Sequence, residues 1–376
     1  MNFEQRRNVL RRELNQMVAD DDLITYDREA VNHCDGVAVM SGSSVRYYSG
    51  FSGSNGFLWL DLGNPQNDIL FTDSRYTEQA KRQCGELAVV ITSERGGSVL
   101  QTLDPLPSSI AVEASALSWM DYAKIDELLH GPQLVDVSAV INRQRSVKDS
   151  SELEYLGAAA ECAEKALIKL VDSGYLRAGM TERSIAAHLD FFMREYGSEG
   201  PSFDTIVAAG ANSALPHHEP DDTVLQEGDL VVVDFGATVN GYRSDCTRSF
   251  CIKAMEPWQQ EIADLVLLAH ETALNSVKPG IAAGAIDQAT RDVISNAGFG
   301  ELFGHSTGHG VGLDVHENPY VRSGGEELLG PGSVFTIEPG IYIPGQGGVR
   351  IENTYALNED GVVYSFQHHS LKVQVV

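Results

Sequence analysis

Positive charge is what this chain has least of for its length. Its 376 residues carry 27 lysines and arginines against 53 aspartates and glutamates, a formal net charge of −26. So acidic a surface repels nucleic acids and anionic membranes, which excludes both as partners. Long apolar runs are missing too: nothing approaches the roughly 18 residues that a membrane-spanning helix needs. The opening stretch, MNFEQRRNVLRREL, is charged throughout and lacks the apolar core of a secretion signal. Cysteine is scarce: Cys34, Cys84, Cys162, Cys246 and Cys251 are an odd, scattered set without a CxxC pair. They read as reduced thiols in a cytoplasmic protein. Repeats of 20–50 residues and low-complexity tracts are also lacking, which sets solenoids and disordered arrays aside.

What is present is an ordinary globular composition, 43% hydrophobic and 8% aromatic, long enough for two domains. Phe3–Val18 places Val9, Leu10, Leu14 and Met17 at helical spacing. Short apolar runs follow at Gly36–Met40, Gly56–Leu60, Ile69–Thr72, Leu87–Thr92 and Ile110–Val112, the alternation of a small α/β domain. VRYYSGFSGSNGF, from Val45 to Phe57, lacks the Gly-Lys-Ser/Thr ending of a phosphate loop and reads as a tight glycine-serine turn between strands. The polar segment RQRSVKDSSE, residues 143–152, marks a boundary, giving domains 1–145 and 146–376. Beyond it, Ser151-x-x-Glu154 reads as a capping box opening a helix to about Asp172. Thr181 caps a second, with Ile185, Leu189, Phe192 and Met193 on one face and Gly197 as its stop. A strand near Phe203–Ala209 and helices at about Pro257–Val277 and Ala285–Asn296 complete the coarse plan.

One stretch, DLVVVDFGATVNGYRSDCTRSFCI from Asp229 to Ile252, concentrates chemistry. Asn240-Gly241 signals a two-residue type I′ turn, since both residues must take φ > 0. Counting back from that turn pairs Val239 with Tyr242, Thr238 with Arg243 and Gly236 with Asp245. The period of two then puts Asp234 on the face of Asp245. Two bare carboxylates a few ångströms apart repel by on the order of 2–4 kcal/mol, so a cation between them is expected. An acidic solvated hairpin is the plainer alternative, but the apolar run around Asp234 makes an uncompensated charge there costly.

Further candidate ligands lie downstream. GHSTGHGVGLDVHE holds His305, His309 and His316 among glycines that disfavour a helix, so it reads as a loop entering a short strand. A dinucleotide loop is excluded by the missing preceding strand and the wrong glycine spacing. His270-Glu271 begins like HExxH, but Leu274 breaks that motif, and His270 reads as a solvent-facing helix residue. VFTIEPGIYI (Val334–Ile343) and VRIENTYA (Val349–Ala356) read as strands carrying Glu338 and Glu352, with Arg350 sharing a face with Glu352. Together Asp234, Asp245, His309, Glu338 and Glu352 offer four carboxylates and one imidazole. That is more charge than one divalent ion needs and suits two, with harder ions such as Mn²⁺ or Co²⁺ favoured.

These segments resemble the pita-bread metallopeptidases: the Xaa-Pro aminopeptidases, prolidases and methionine aminopeptidases. DFGATVNGYRSDCTR, HSTGHGVGLDVHE, TIEPGIYI and VRIEN are similar to the family's metal-binding segments. VRYYSGFSGSNGF, LFTDSRYTEQA and RQRSVKDSSELE resemble the N-terminal domain and joint of its proline-specific branch, with the likeness weakest over residues 13–35. The resemblance implies an α+β chain in which a small α/β N-terminal domain precedes a pita-bread catalytic domain. It further implies two divalent ions (Mn, with Co or Zn as alternatives) held by Asp234, Asp245, His309, Glu338 and Glu352, with Asp245 and Glu352 bridging. His217 in SALPHH, His305 and His316 would be substrate-side histidines, and Arg350 would support the second bridging glutamate.

The implied activity is hydrolysis of the bond between an N-terminal residue and proline in short peptides, by an Xaa-Pro aminopeptidase or dipeptidase that relatives suggest is a homodimer. A hydroxide bridging the two ions would attack the scissile carbonyl, polarised by one ion and His316. Glu338 would take the water's proton and return it to the leaving nitrogen. His217 would donate to the carbonyl side of the substrate or relay a proton, and His305 would help shape the proline pocket. His218, one residue on, faces the other way if extended and is given no role. A metallopeptidase of other specificity and a non-catalytic peptide-binding member of the fold are the alternatives.

Overall fold

A computed structural model describes residues 2–16, 33–94 and 96–376 and divides the chain into two compact units, Met1–Arg145 and Ser146–Val376. In the first unit, helix α1 (Phe3–Gln16) buries Leu10 and Leu14; the expected last residues of this helix, Met17 and Val18, lie outside the described residues. Strands β1 (Gly36–Val39), β2 (Gly56–Asp61), β3 (Ile69–Thr72), β4 (Ala88–Ile91) and β5 (Ser109–Val112) fall on the short apolar runs. A sixth strand, β6 (Gln133–Asp136), escaped the pattern because it is a half-exposed edge with polar ends. The sheet order is β4-β3-β2-β1-β5-β6, with β1–β2 and β2–β3 antiparallel and the other three pairings parallel. Ala38, Phe57, Trp59, Phe71, Ile110 and Val112 form its core.

The turn expected within Val45–Phe57 is corrected. Val45–Ser49 complete a helix, α2 (Gly42–Ser49), whose N-cap Ser41 accepts from the Ser44 N–H and whose end is Gly50 at φ 76°. Val45 and Tyr48 sit three apart on its buried face, so the loop joins a helix, not a strand, to β2.

The second unit begins with α3 (Ser150–Asp172) and α4 (Glu182–Glu195). The capping box is Asp149 with Glu152, two residues earlier than expected, where a carboxylate also favours the positive end of the helix. Thr181 caps α4 through the Ser184 N–H, with Ile185, Leu189, Phe192 and Met193 buried and Gly197 at φ 103° beyond its end. Strands β7 (Ile206–Ala209), β8 (Leu230–Phe235), β9 (Thr238–Val239), β10 (Tyr242–Arg243) and β11 (Cys246–Cys251) follow. After them come α5 (Pro257–Ser276), α6 (Ala283–Asn296) and β12 (Gly308–Gly310) through β13 (Glu317–Val321), β14 (Val334–Ile337), β15 (Gly340–Ile343), β16 (Gly347–Arg350), β17 (Asn353–Leu357), β18 (Val363–Ser365) and β19 (Gln374–Val375).

One sheet runs β19-β11-β8-β7 and a second β14-β17-β18, with β12–β13 and β15–β16 as two-stranded pairs. Val231, Val233 and Phe235 share a core with α3 and α4 residues such as Leu167, Leu170, Ile185 and Leu189. The period of two therefore turns Asp234 to the opposite face of β8, away from those helices. His270 is corrected as well: it is fully buried on α5, with its Nε2 3.2 Å from the Tyr355 hydroxyl. It stands four residues after Val266 and three before Ala273, on the helix's buried stripe.

Candidate metal centre

The centre is built on two strand registers. In the first, Asn240 at φ 49° and Gly241 at φ 74° close the β9–β10 hairpin with Val239 opposite Tyr242, as the turn chemistry requires. The same count holds through β8–β11, where Asp234 faces Thr247, so Asp245 projects diagonally beside Asp234. Gly236 opposite Asp245 has no substitute: a Cβ there would meet the Ser244 carbonyl oxygen at 1.9 Å.

The second register corrects the two expected long strands. Each is broken at its glutamate: β14 ends at Ile337 and β15 starts at Gly340, while β16 ends at Arg350 and β17 starts at Asn353. Proline at 339 cannot donate to a ladder, and the chain changes partner there. Ile337 faces Asn353 and Gly340 faces Arg350, so one count covers both ladders and sets Glu338 against Glu352 at the shared break.

His309 closes the set from β12. Its backbone N–H donates to Thr336 Oγ1 at 3.0 Å, and its Nδ1 lies 3.0 Å from the Gly310 carbonyl, so an Nδ1–H donates there and leaves Nε2 for the site. That Nε2 is 3.2 Å from Glu338 Oε1 and 3.5 Å from Asp245 Oδ2. Ligand atoms of Asp245, His309 and Glu352 lie within 4.8 Å of one another. All five candidate ligands line one cavity of about 450 Å³, shared with His217, His305, His316 and Arg350. His217 and His316 are exposed at that cavity, and the His316 ring stands nearly perpendicular to His309 with centroids 4.2 Å apart.

The electrostatics favour a cation. Burial first, then the neighbouring carboxylates, push the carboxyls of Asp245 and Glu352 well above their usual range. Burial also raises Asp234, against the pull of Arg350. Glu338 goes the other way: burial pushes it up, but the hydrogen bond and charge of His309 bring it down to about 2. His309 is raised, because Glu338 outweighs the burial that lowers it. Asp234 Oδ1 and Glu352 Oε1 are buried without a hydrogen-bond partner among the described residues. Orphaned, mutually repelling carboxylate oxygens beside one imidazole fit divalent cations, and with four carboxylates the charge fits two.

Arg350 is bound more widely than its spacing from Glu352 suggests. Nη2 donates to Asp234 Oδ2 at 2.7 Å, Nη1 to the Tyr342 hydroxyl at 2.9 Å and to the Pro216 carbonyl at 3.3 Å, and Nε to Thr247 Oγ1 at 3.1 Å. Support for Glu352 is thus indirect: Thr247 donates to Glu352 Oε2 at 2.9 Å. The Tyr342 hydroxyl, accepting from Arg350, lies 2.9 Å from His305 Nε2, while His305 Nδ1 lies 2.8 Å from the Ser306 carbonyl. Both ring nitrogens of His305 are therefore engaged, and it serves the cavity as a fixed wall. Thr247, Tyr342 and Thr336 were missed from sequence. The count that opposes Gly236 to Asp245 also opposes Thr247 to Asp234, and that was the available signal for Thr247.

The chain is similar to known proteins along most of its length. Residues 154–359 match metallopeptidase family M24, and residues 27–147 match the creatinase/prolidase N-terminal domain. An Xaa-Pro dipeptidase of Pyrococcus horikoshii is 37% identical over 333 residues, covering 88% of this chain and 92% of that protein. Among solved structures, an Xaa-Pro dipeptidase from Bacillus anthracis is similar with a TM-score of 0.89 at 32% identity, covering 100% of both chains. An X-Pro aminopeptidase from Thermotoga maritima is similar with a TM-score of 0.82 at 37% identity, covering 91% of this chain and 98% of that one. The chain belongs to metallopeptidase family M24, as a metallo-exopeptidase with a creatinase/prolidase-type N-terminal domain and the pita-bread catalytic fold.

Proposed function

We propose that this chain hydrolyses the peptide bond between an N-terminal residue and proline, using two divalent ions held by Asp234, Asp245, His309, Glu338 and Glu352. The observation that carries the reading is the convergence of those five side chains in one cavity, with two buried carboxylate oxygens left unpaired. Burial first, and then their neighbours' charge, push Asp245 and Glu352 up, so both would gain from a bound cation, and the oxygen-rich donor set would suit manganese. When bound, such ions supply an activated water near neutral pH and polarise a carbonyl oxygen. Glu338 accepts a proton and hands it to the leaving proline nitrogen. His316 and His217, exposed at the cavity, donate toward the substrate carbonyl, and His305 walls the proline subsite. Proline specificity is supported by the names of the relatives, which include both dipeptidases and an aminopeptidase.

The setting proposed is cytoplasmic: none of the five cysteines is in a disulfide, and all are buried. Among the described residues no helix is long and apolar enough to cross a membrane. The test is a metal-content measurement paired with hydrolysis of Ala-Pro and of Ala-Pro-Ala. About two ions per chain with cleavage of either peptide supports the reading, and preference between them separates dipeptidase from aminopeptidase. A metal-free chain that binds such peptides without cleaving them overturns it in favour of a scaffold.

A further inference from the structure

Glu182, the first residue of α4, is fully buried, and its carboxylate takes two hydrogen bonds on each oxygen. Oε1 accepts from the Ala209 N–H at 2.7 Å and Asn212 Nδ2 at 3.0 Å. Oε2 accepts from His218 Nε2 at 2.7 Å and the Asp221 N–H at 3.2 Å. Ligand atoms of Glu182, His218 and Asp221 do lie close enough together to suggest a second ion site. A carboxylate offers about four acceptor positions, and here all are taken by N–H donors, so the cluster is an anchor.

What it anchors is the loop that carries His217. On one side of His217, the Pro216 carbonyl accepts from Arg350, the arginine that also grips Asp234. On the other side, the His218 ring is held by Glu182. The Glu182 N–H donates onward to the Thr223 carbonyl at 3.1 Å, and the Arg183 N–H to that of Asp221 at 3.0 Å. One buried carboxylate thus joins the start of α4, the end of β7 and the loop. His217, itself exposed at the cavity, is held between two tethered neighbours.

We propose that Glu182 and His218 are positioning residues that present His217 to the substrate, an inference that rests on the substrate-side reading of His217. His218 takes no part in the chemistry; it converts the buried charge of Glu182 into a fixed direction for the residue before it.

The test uses the full-length, metal-loaded chain with His218→Ala, His218→Gln, His217→Ala and the His217→Ala/His218→Ala pair. Hydrogen–deuterium exchange across residues 215–223 reads the anchor without substrate, and Xaa-Pro hydrolysis reads its consequence. In His218→Ala, exchange of the loop quickens and kcat falls about tenfold with metal content unchanged. Glutamine, whose amide nitrogen reaches the position of the His218 Nε2 and can still donate to Glu182, restores most of both. With His217 already removed, deleting His218 costs less than about twofold more. Unchanged exchange and kcat in His218→Ala, no rescue by glutamine, or fully additive losses in the double variant would each overturn the proposal. A wild-type chain that cleaves no Xaa-Pro peptide, yet shows faster exchange in His218→Ala and rescue by glutamine, leaves the anchor standing and removes the hydrolytic reading instead.

Discussion

Arg350 reaches Asp234 directly, Nη2 to Oδ2 at 2.7 Å, but reaches Glu352 only through the hydroxyl of Thr247. That hydroxyl accepts from the guanidinium and donates to the carboxylate, so it orients a proposed metal ligand. Thr247→Val keeps the shape and deletes both bonds. It should weaken metal affinity and kcat/KM by about ten- to a hundredfold, with Thr247→Ser recovering most of the loss. Metal titration and hydrolysis assays on the three proteins decide it; a valine variant with wild-type affinity and rate would show the bridge to be idle.

Occupation of the centre should release protons. Burial and mutual repulsion raise the carboxyls of Asp245 and Glu352 well above their ordinary range, so the ion-free centre holds protons that a bound cation must displace. Affinity therefore rises with pH. Calorimetric titration of the chelator-treated chain in buffers of different ionisation enthalpy should show about one or more protons released as the site fills. Uptake that is independent of buffer would contradict the repulsive cluster described above.

Much of this centre could be read by counting, and the residues that escaped show why some could not. Asp234 and Asp245 were found because Asn240-Gly241 fixes a turn, and a turn fixes which residues share a face. The breaks at Glu338 and Glu352 were hidden because isoleucines continue the apolar pattern up to each glutamate, so the runs look unbroken although the strands change partner. Arg350 to Asp234 spans 116 residues, and Glu182 to His218 joins a helix start to a loop, contacts that no local period encodes. His270 was misplaced by a rule about residue type, that a histidine on a helix faces water, where the helical spacing from Val266 would have put it inside.

The proposed ligand and substrate-side roles separate in two substitutions. Asp245→Ala removes a donor that faces His309 at 3.5 Å and stands beside Glu352, so bound metal and activity should vanish together. His316→Ala removes a ring that packs on His309 without entering the ligand cluster, so metal content should hold while kcat falls by about a hundredfold. Elemental analysis beside a hydrolysis assay reads both. An active, metal-free Asp245→Ala would sink the centre, and loss of metal from His316→Ala would mean that His316 is a ligand.

His270 gives the fold a pH dependence of its own, away from the metal ligands. Burial, reinforced by the positive charge of Arg248, lowers its imidazole from the ordinary value to about 3, so it stays neutral in the folded chain. Unfolded, it protonates near 6.5, so between those two values the unfolded state binds the extra proton. The stability that depends on a neutral ring is therefore complete above about pH 6.5 and is lost as pH falls toward 3. By pH 5 the loss comes to about 2 kcal/mol. His270→Gln keeps a polar partner for the Tyr355 hydroxyl but cannot titrate. It should be less stable than wild type by about 1 kcal/mol at pH 7.5 yet lose less between pH 7.5 and pH 5. Denaturant unfolding of both proteins at the two pH values, after chelation, isolates this group, because every other titrating residue is common to both. Parallel losses in the two proteins would mean that the buried ring does not titrate with unfolding.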